Sequence, residues 1–408
     1  MNPRGLKNSP CNSGSGALLP YGRQSIDEED IAAVAAVLRS EWLTTGPIVS
    51  RFEEAVAQFC GARSGVAVSS GTAALHTAMY AAGIGPGNEV IVPPITFAAT
   101  ANAVIFQGGT PVFADVQTET LLLDPAAAER AITPRTKAIV AVDYAGQPCD
   151  YRELQSICRR HGLVLIADAC HSLGASYRGR AVGSLADLTV FSFHPVKHIT
   201  TGEGGMVLTD CPDFLDRMRA FRNHGITTDH RQRSERGSWF YEMQDLGYNY
   251  RITDFQCALG LSQLPKLPDW LARRRALAEQ YVRAFADVPF VRPLRLRSGR
   301  THAYHLFAVR IGFAQSGADR NMLFQKMRDL GIGVNVHYIP VHLHPYYQNR
   351  WGTAPGLCPV AEAAYEQLLT LPLFPAMTDA DVERVAAAVT ELIEESGQQL
   401  EAVHDSSR

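Results

Sequence analysis

The chain has 408 residues, 46% apolar and 19% charged, with 38 Lys and Arg against 41 Asp and Glu for a net charge of −3. That length exceeds what one hydrophobic core usually fills, so two domains are expected, and the composition is that of an ordinary soluble globular protein. The near balance of charge, without a long basic block, gives no electrostatic reason to bind nucleic acid or an anionic membrane, and no apolar run approaches the roughly 18 residues of a membrane span.

Residues 1–18 are rich in Gly, Ser, Asn and Pro, lack an apolar signal core and are expected to form a disordered tail. Eight scattered cysteines, with no CxxC pair and no metal-ligand spacing, imply small core fillers and a reduced, cytoplasmic compartment. Folding is expected to start near Leu19. "SIDEEDIAAVAAVLRS" predicts an amphipathic helix capped by Ser25, with Ile31, Val34, Val37 and Leu38 on its apolar stripe. Seven β-rich runs follow: "SGVAVSS", "EVIVPP", "TPVFADV", "KAIVAVDY", "LVLIADA", "DLTVFSF" and "GGMVLTD". Most are apolar on both faces and alternate with helical stretches such as "TAALHTAMYAAG" and "YRELQSICRRHG". This pattern predicts an α/β domain over residues 19–265 with a mainly parallel sheet between helices, and ligands beyond the carboxyl ends of its strands. The long arginine-rich helix in "LSQLPKLPDWLARRRALAEQYVRAF" then introduces a smaller α+β domain over residues 266–400. Its expected elements are the strands of "AYHLFAVRI" and "IGVNVHYIP" and the helices "RNMLFQKMRDLG" and "TDADVERVAAAVTELIEES", with residues 401–408 a tail.

Three polar groups fall where strands of the first domain end. In "SSGTAAL", Gly71 and Thr72 open a helix whose first N–H groups and dipole favour an anion such as phosphate; a plain Ser/Thr helix cap explains the same residues equally well. Asp168 in "LIADACHS" ends an apolar strand, where a carboxylate needs a donor or a cation; it is either a cap or the partner of a bound positive group, with His171 three residues on. In "FSFHPVKHITTGEGG", Ser192 ends a strand and Lys197 follows. A lysine there is a surface residue or, if burial lowers its pKa, an amine fit to form a Schiff base with a carbonyl. Together, a phosphate cradle, a carboxylate and a lysine on one sheet are the parts that hold pyridoxal phosphate.

"SSGTAAL", "TFAATANAV", "ADACHS", "FSFHPVKHITTGEGG", "LGYNYRITDFQCALGL" and "VHYIPVHLHPYY" resemble, in order and spacing, the DegT/DnrJ/EryC1/StrS sugar aminotransferases over about residues 20–395. The resemblance implies the fold type I architecture of pyridoxal-phosphate transferases, with Lys197 bonded to the cofactor and Asp168 paired with its ring nitrogen. Gly71, Thr72 and Ser192 would bind the phosphate, His171 would lie near the phenolic oxygen, and Phe97 would stack on the ring. It further implies that Asn249 reaches the phosphate of the neighbouring subunit, making a homodimer with shared sites. Thr45 and Gly46 of "EWLTTGP", with His337 and Tyr338, would meet the substrate; His342 and His344 are as well explained by packing, and an HxH pair without a third ligand is a poor metal site, so no metal is expected.

Within the family the similarity is nearest to the enzymes of pseudaminic acid biosynthesis. These imply transfer from glutamate to the 4-keto carbon of a UDP-linked 4-keto-6-deoxy-N-acetylhexosamine; amination of another nucleotide sugar, at C3 or C4 and including TDP sugars, is the alternative. A Rossmann dehydrogenase is disfavoured because GxGxxG is missing between the first strand and helix, "GIGPGNE" instead preceding a strand. A dehydratase of the family would carry histidine in place of Lys197, and a non-catalytic relative would be expected to lose Lys197 or Asp168; both residues stand.

Overall fold

The computed structural model describes residues 18–405 apart from Asp229 and Arg236, so the tail expected at the start of the chain lies, except for Leu18, outside the described residues. Seven strands build the main sheet: β1 Ser64–Val68, β2 Glu89–Val92, β3 Thr110–Phe113, β4 Thr136–Val142, β5 Val164–Asp168, β6 Leu188–Ser192 and β7 Gly205–Thr209. Each coincides with one of the seven runs read from the sequence. Their spatial order is β1-β7-β6-β5-β4-β2-β3, with β7 antiparallel to both neighbours and every other pair parallel. Buried valine, isoleucine and alanine on β2 and β4 face helices on both sides, which is why these strands do not alternate. The reversed strand brings its first residue, Gly205, to the sheet edge where the other six strands end.

Helix α1, Glu28–Leu38, begins two residues later than expected, because Asp27 rather than Ser25 is the cap. The Asp27 side chain accepts from the Asp30 N–H while Asp30 reciprocates, a capping box that fixes the start. Its apolar stripe is only partly used within the chain: Val37 is buried, but Ile31 is 51% and Leu38 57% exposed. Helix α2 spans Pro47–Cys60, α3 Gly71–Ala81, α4 Ala99–Phe106 and α5 Asp254–Gln263.

Helix α6, Leu267–Ala284, leads into a second core built on β8 Val291–Pro293, β9 Phe307–Ile311 and β10 Leu368–Leu371, an antiparallel sheet in that order. Tyr281, Val309, Leu371 and Val389 are fully buried in it. The last helix, α7, runs from Asp379 to Asp405, past the expected boundary at residue 400. "IGVNVHYIP" does not form the expected strand. It contributes only bridges, Ile332 to Leu19 and Asn335 to Thr370, and then leaves the small sheet. The reason is tertiary: the Tyr144 hydroxyl, just after β4, donates to the His337 carbonyl and holds the segment against the main sheet.

Candidate active site

A cavity of about 790 Å³ opens at the sheet edge where β1, β5 and β6 end and β7 begins, and the segment carrying His337 and Tyr338 forms part of its wall. Asp168, the last residue of β5, is buried here. No helix follows it, so it is not a helix cap. One carboxylate oxygen accepts from the Thr100 hydroxyl of α4 at 2.7 Å and the other from the Cys170 N–H at 3.3 Å. Because Thr100 donates to the carboxylate, the 2.7 Å contact between its oxygen and Thr96 makes Thr96 the next donor in a short hydroxyl chain.

Lys197 lies in the turn after β6, where its N–H donates to the His194 carbonyl and the Thr201 N–H returns to the Phe193 carbonyl. This places Nζ 3.3 Å from Nε2 of His305. Burial lowers the lysine's pKa from its usual value, and the negative charge of Asp168 opposes that shift. The imidazoles around it are held neutral, chiefly by burial and then by the lysine's charge. His171 and His305 are pushed well below the ordinary histidine range and His337 down to about 4. His171 places Nε2 3.2 Å from the Tyr338 hydroxyl, and its ring centroid lies 4.4 Å from that of His305. Phe97, 61% exposed, stands at the cavity wall 6.1 Å from the Tyr338 ring.

On the other side, α3 starts at Gly71. Ser70 is its cap, accepting from the Ala73 N–H at 3.0 Å, so the cap and an anion site coexist: Gly71 and Thr72 of the first turn line the cavity together with Ser192. The packing is close enough to require glycine. A Cβ on Gly71 would come within 2.9 Å of Ser192 Cβ, and one on Gly205 within 2.4 Å of the Ser70 carbonyl oxygen. The cavity therefore offers a helix start for an anion, a carboxylate for a cation and a lysine amine for a carbonyl.

Gly71, Thr72, Phe97, Asp168, His171, Ser192, Lys197, His337 and Tyr338 are thus brought to one cavity. Three other expected site residues are not. Thr45 and Gly46 line a separate crevice with Arg219 and Arg251, because the Gly46 N–H is drawn to the Asp254 carboxylate at 2.8 Å. Asn249 is exposed and bridges to Asn223, which lines that crevice, and it does not line its own chain's cavity. His342 is fully buried against Glu362 at 2.8 Å, which supports its reading as packing. Sequence reasoning missed His305, Thr100 and Tyr144. Thr100 lies within "TFAATANAV" and His305 at the entry to a strand, and neither position by itself marks a partner far along the chain.

The family model of the DegT/DnrJ/EryC1/StrS aminotransferases matches residues 24–390. The spore coat polysaccharide biosynthesis protein SpsC of Bacillus subtilis is 43% identical over 378 residues, 92% of this chain and 97% of that protein. Among solved structures, Helicobacter pylori PseC, an aminotransferase involved in the biosynthesis of pseudaminic acid, aligns at TM-score 0.86 and 34% identity, covering 93% of this chain and all of that one. The PLP form of the sugar aminotransferase Spr1654 of Streptococcus pneumoniae aligns at TM-score 0.86 and 32% identity over 93% of this chain and 99% of that one. Pyridoxal phosphate, which supplies an aldehyde for an amine and a ring nitrogen that draws electron density when protonated, matches the donor set of the cavity and is the cofactor of this chain. By sequence, fold and cofactor, the chain belongs to the DegT/DnrJ/EryC1/StrS aminotransferase family.

Proposed function

We propose that the protein transfers an amino group from glutamate to the 4-keto carbon of a UDP-linked 4-keto-6-deoxy-N-acetylhexosamine, in the synthesis of pseudaminic acid. The observation that carries the reading is the placement of Lys197 Nζ in one cavity with Asp168 and the start of α3. The similarity to PseC supports the sugar. Gly71, Thr72 and Ser192 bind the cofactor's phosphate, and Asp168, oriented by Thr100, holds a proton at its ring nitrogen. Lys197 anchors the cofactor. With its Nζ free, the lysine would be the group that takes a proton from the carbon bearing the donor's amino group and gives one back, in the reverse sense when the keto sugar is in place. Neutral His171 lies near the phenolic oxygen, Phe97 covers the ring, and His337 and Tyr338 meet the sugar. Thr45, Gly46 and Asn249, outside their own chain's cavity, serve the neighbouring subunit's site, so the working unit is a homodimer.

The test is to incubate the purified protein with glutamate and a panel of UDP- and TDP-linked 4-keto sugars and to identify products by mass and NMR. A UDP-linked 4-amino product is expected. Turnover of TDP sugars alone, or amination at C3, overturns the substrate reading. Lys197→Ala should retain cofactor without covalent attachment and lose turnover by several orders of magnitude; full activity in that variant overturns the mechanism.

A further inference from the structure

Among the described residues, the His305 side chain has a single polar partner. Its Nε2 lies 3.3 Å from Lys197 Nζ, while its Nδ1 is buried without one. Its place is set by backbone rather than by side-chain bonds. The Ala303 N–H donates to the Gly146 carbonyl at 2.9 Å and the Leu306 N–H to the Ala145 carbonyl at 3.2 Å, pinning residues 303–306 to the turn after β4. Gly146 has φ of 112°, and a Cβ there would meet the Tyr304 nitrogen at 2.8 Å, so this crossing is close and rigid. The His171 ring packs on the imidazole at 4.4 Å and the His198 ring at 5.6 Å, closing off other orientations. A buried histidine with one nitrogen unmet is held at a free-energy cost. The contact with the lysine is the one polar interaction set against it.

We propose that His305 is a positioning residue for the amino transfer: Nε2 accepts a hydrogen bond from the free ammonium of Lys197 and keeps it aimed into the cavity whenever the lysine is not bonded to cofactor. The proposal rests on the role given above to Lys197. Released lysine is a long, flexible side chain that loses rotamer freedom when it must sit at one point. His305 supplies a fixed acceptor on the side of the amine, set on backbone that belongs to the seam between the two domains. The groups facing Lys197 are Asp168 at the end of β5, Cys170 and His171 from the loop after it, the adjacent His198, His305 before β9, and His337 from the segment tied to Tyr144. Of these, His305 is the one within hydrogen-bond reach of Nζ among the described residues.

The test compares His305→Leu with His305→Gln, whose amide oxygen reaches about as far as Nε2. One readout is independent of turnover: the pH dependence of Lys197 acylation in the full chain freed of cofactor, followed by mass spectrometry. Removing an acceptor from the charged form lowers a lysine's pKa, so the labelling midpoint should move down in His305→Leu and stay near wild type in His305→Gln. Single-turnover amino transfer from glutamate should fall about 10- to 100-fold in the leucine variant and recover to within about threefold in the glutamine variant, consistent with misplacement of one reacting group. An unmoved labelling midpoint in His305→Leu overturns the proposal, as do equal losses of rate in both variants that track their melting temperatures. A failure of the Lys197 role itself would show separately, as an active Lys197→Ala enzyme.

Discussion

Asp168 ends its strand with both carboxylate oxygens engaged, by the Thr100 hydroxyl and by the Cys170 N–H. The side chain therefore points where its neighbours put it, and what it can do there depends on its charge. Asp168→Asn keeps the shape and one acceptor for Thr100, so melting temperature should change by only a few degrees. The amide cannot hold a proton at the cofactor's ring nitrogen, and the single-turnover rate should drop about 100-fold or more, the scale of losing one acid–base group. Matching losses in rate and melting temperature would instead assign Asp168 to the turn alone. Asp168 and Ser192 were legible in the sequence because each ends an apolar run, where a polar residue is conspicuous, and Gly71 and Lys197 because they follow such strand ends within a few residues. Thr100, Tyr144 and His305 were not. Their chemistry is a property of pairs, Thr100 with Asp168, Tyr144 with His337 and His305 with Lys197, and a single sequence carries no mark of distances between segments so far apart.

Among the elements, β7 has the tightest fit to the site. Its first residue passes under the start of α3, and a methyl group on Gly205 would lie 2.4 Å from the Ser70 carbonyl oxygen and 2.9 Å from the Gly71 nitrogen. Both neighbours are backbone and cannot swing aside. Gly205→Ala should cost about 1–3 kcal/mol of stability by overpacking, seen as a lower denaturant midpoint, and should weaken cofactor binding by displacing the helix start. Gly85→Ala, where nothing lies within 4 Å of the added carbon, is the control and should leave both unchanged. An unaltered cofactor affinity in a destabilised Gly205→Ala protein would separate this packing from the phosphate site. The seven strands themselves were readable because burial on both faces leaves an unmistakable apolar run. "IGVNVHYIP" misled for the converse reason: its alternation suits a strand, but its hydrogen bonds go to Leu19 and Thr370 and to the large domain, so tertiary pairing overrides the local pattern. Ser25 misled because Asp27 competes for the same helix start and has Asp30 to reciprocate.

At the scale of the whole molecule, large apolar side chains remain exposed on two stretches of the described chain. Ile31 and Leu38 of α1 and the segment Trp239, Phe240, Tyr241, Met243 and Leu246 are exposed, Trp239 by 86%. Asn249 follows that segment directly. A two-fold dimer is the simplest closed arrangement in which such side chains are covered in both copies and each Asn249 reaches the other chain's cavity. Mixing Lys197→Ala with Asn249→Ala under conditions of subunit exchange then gives heterodimers with one doubly damaged site and one intact site. Activity should return to about a quarter of wild type at equal mixing, since about half the dimers carry one working site of two. No recovery in demonstrated heterodimers would place Asn249 in its own subunit's site. The seam between the two hydrophobic cores has a consequence in time. Asp168 and Lys197 emerge early during synthesis, but His305, and the His337 segment tied down by Tyr144, belong to the last part of the chain. A nascent polypeptide that has reached only the end of its main sheet thus has an open, unfinished pocket, and the wall that encloses the lysine arrives only once residues 303–338 have been made.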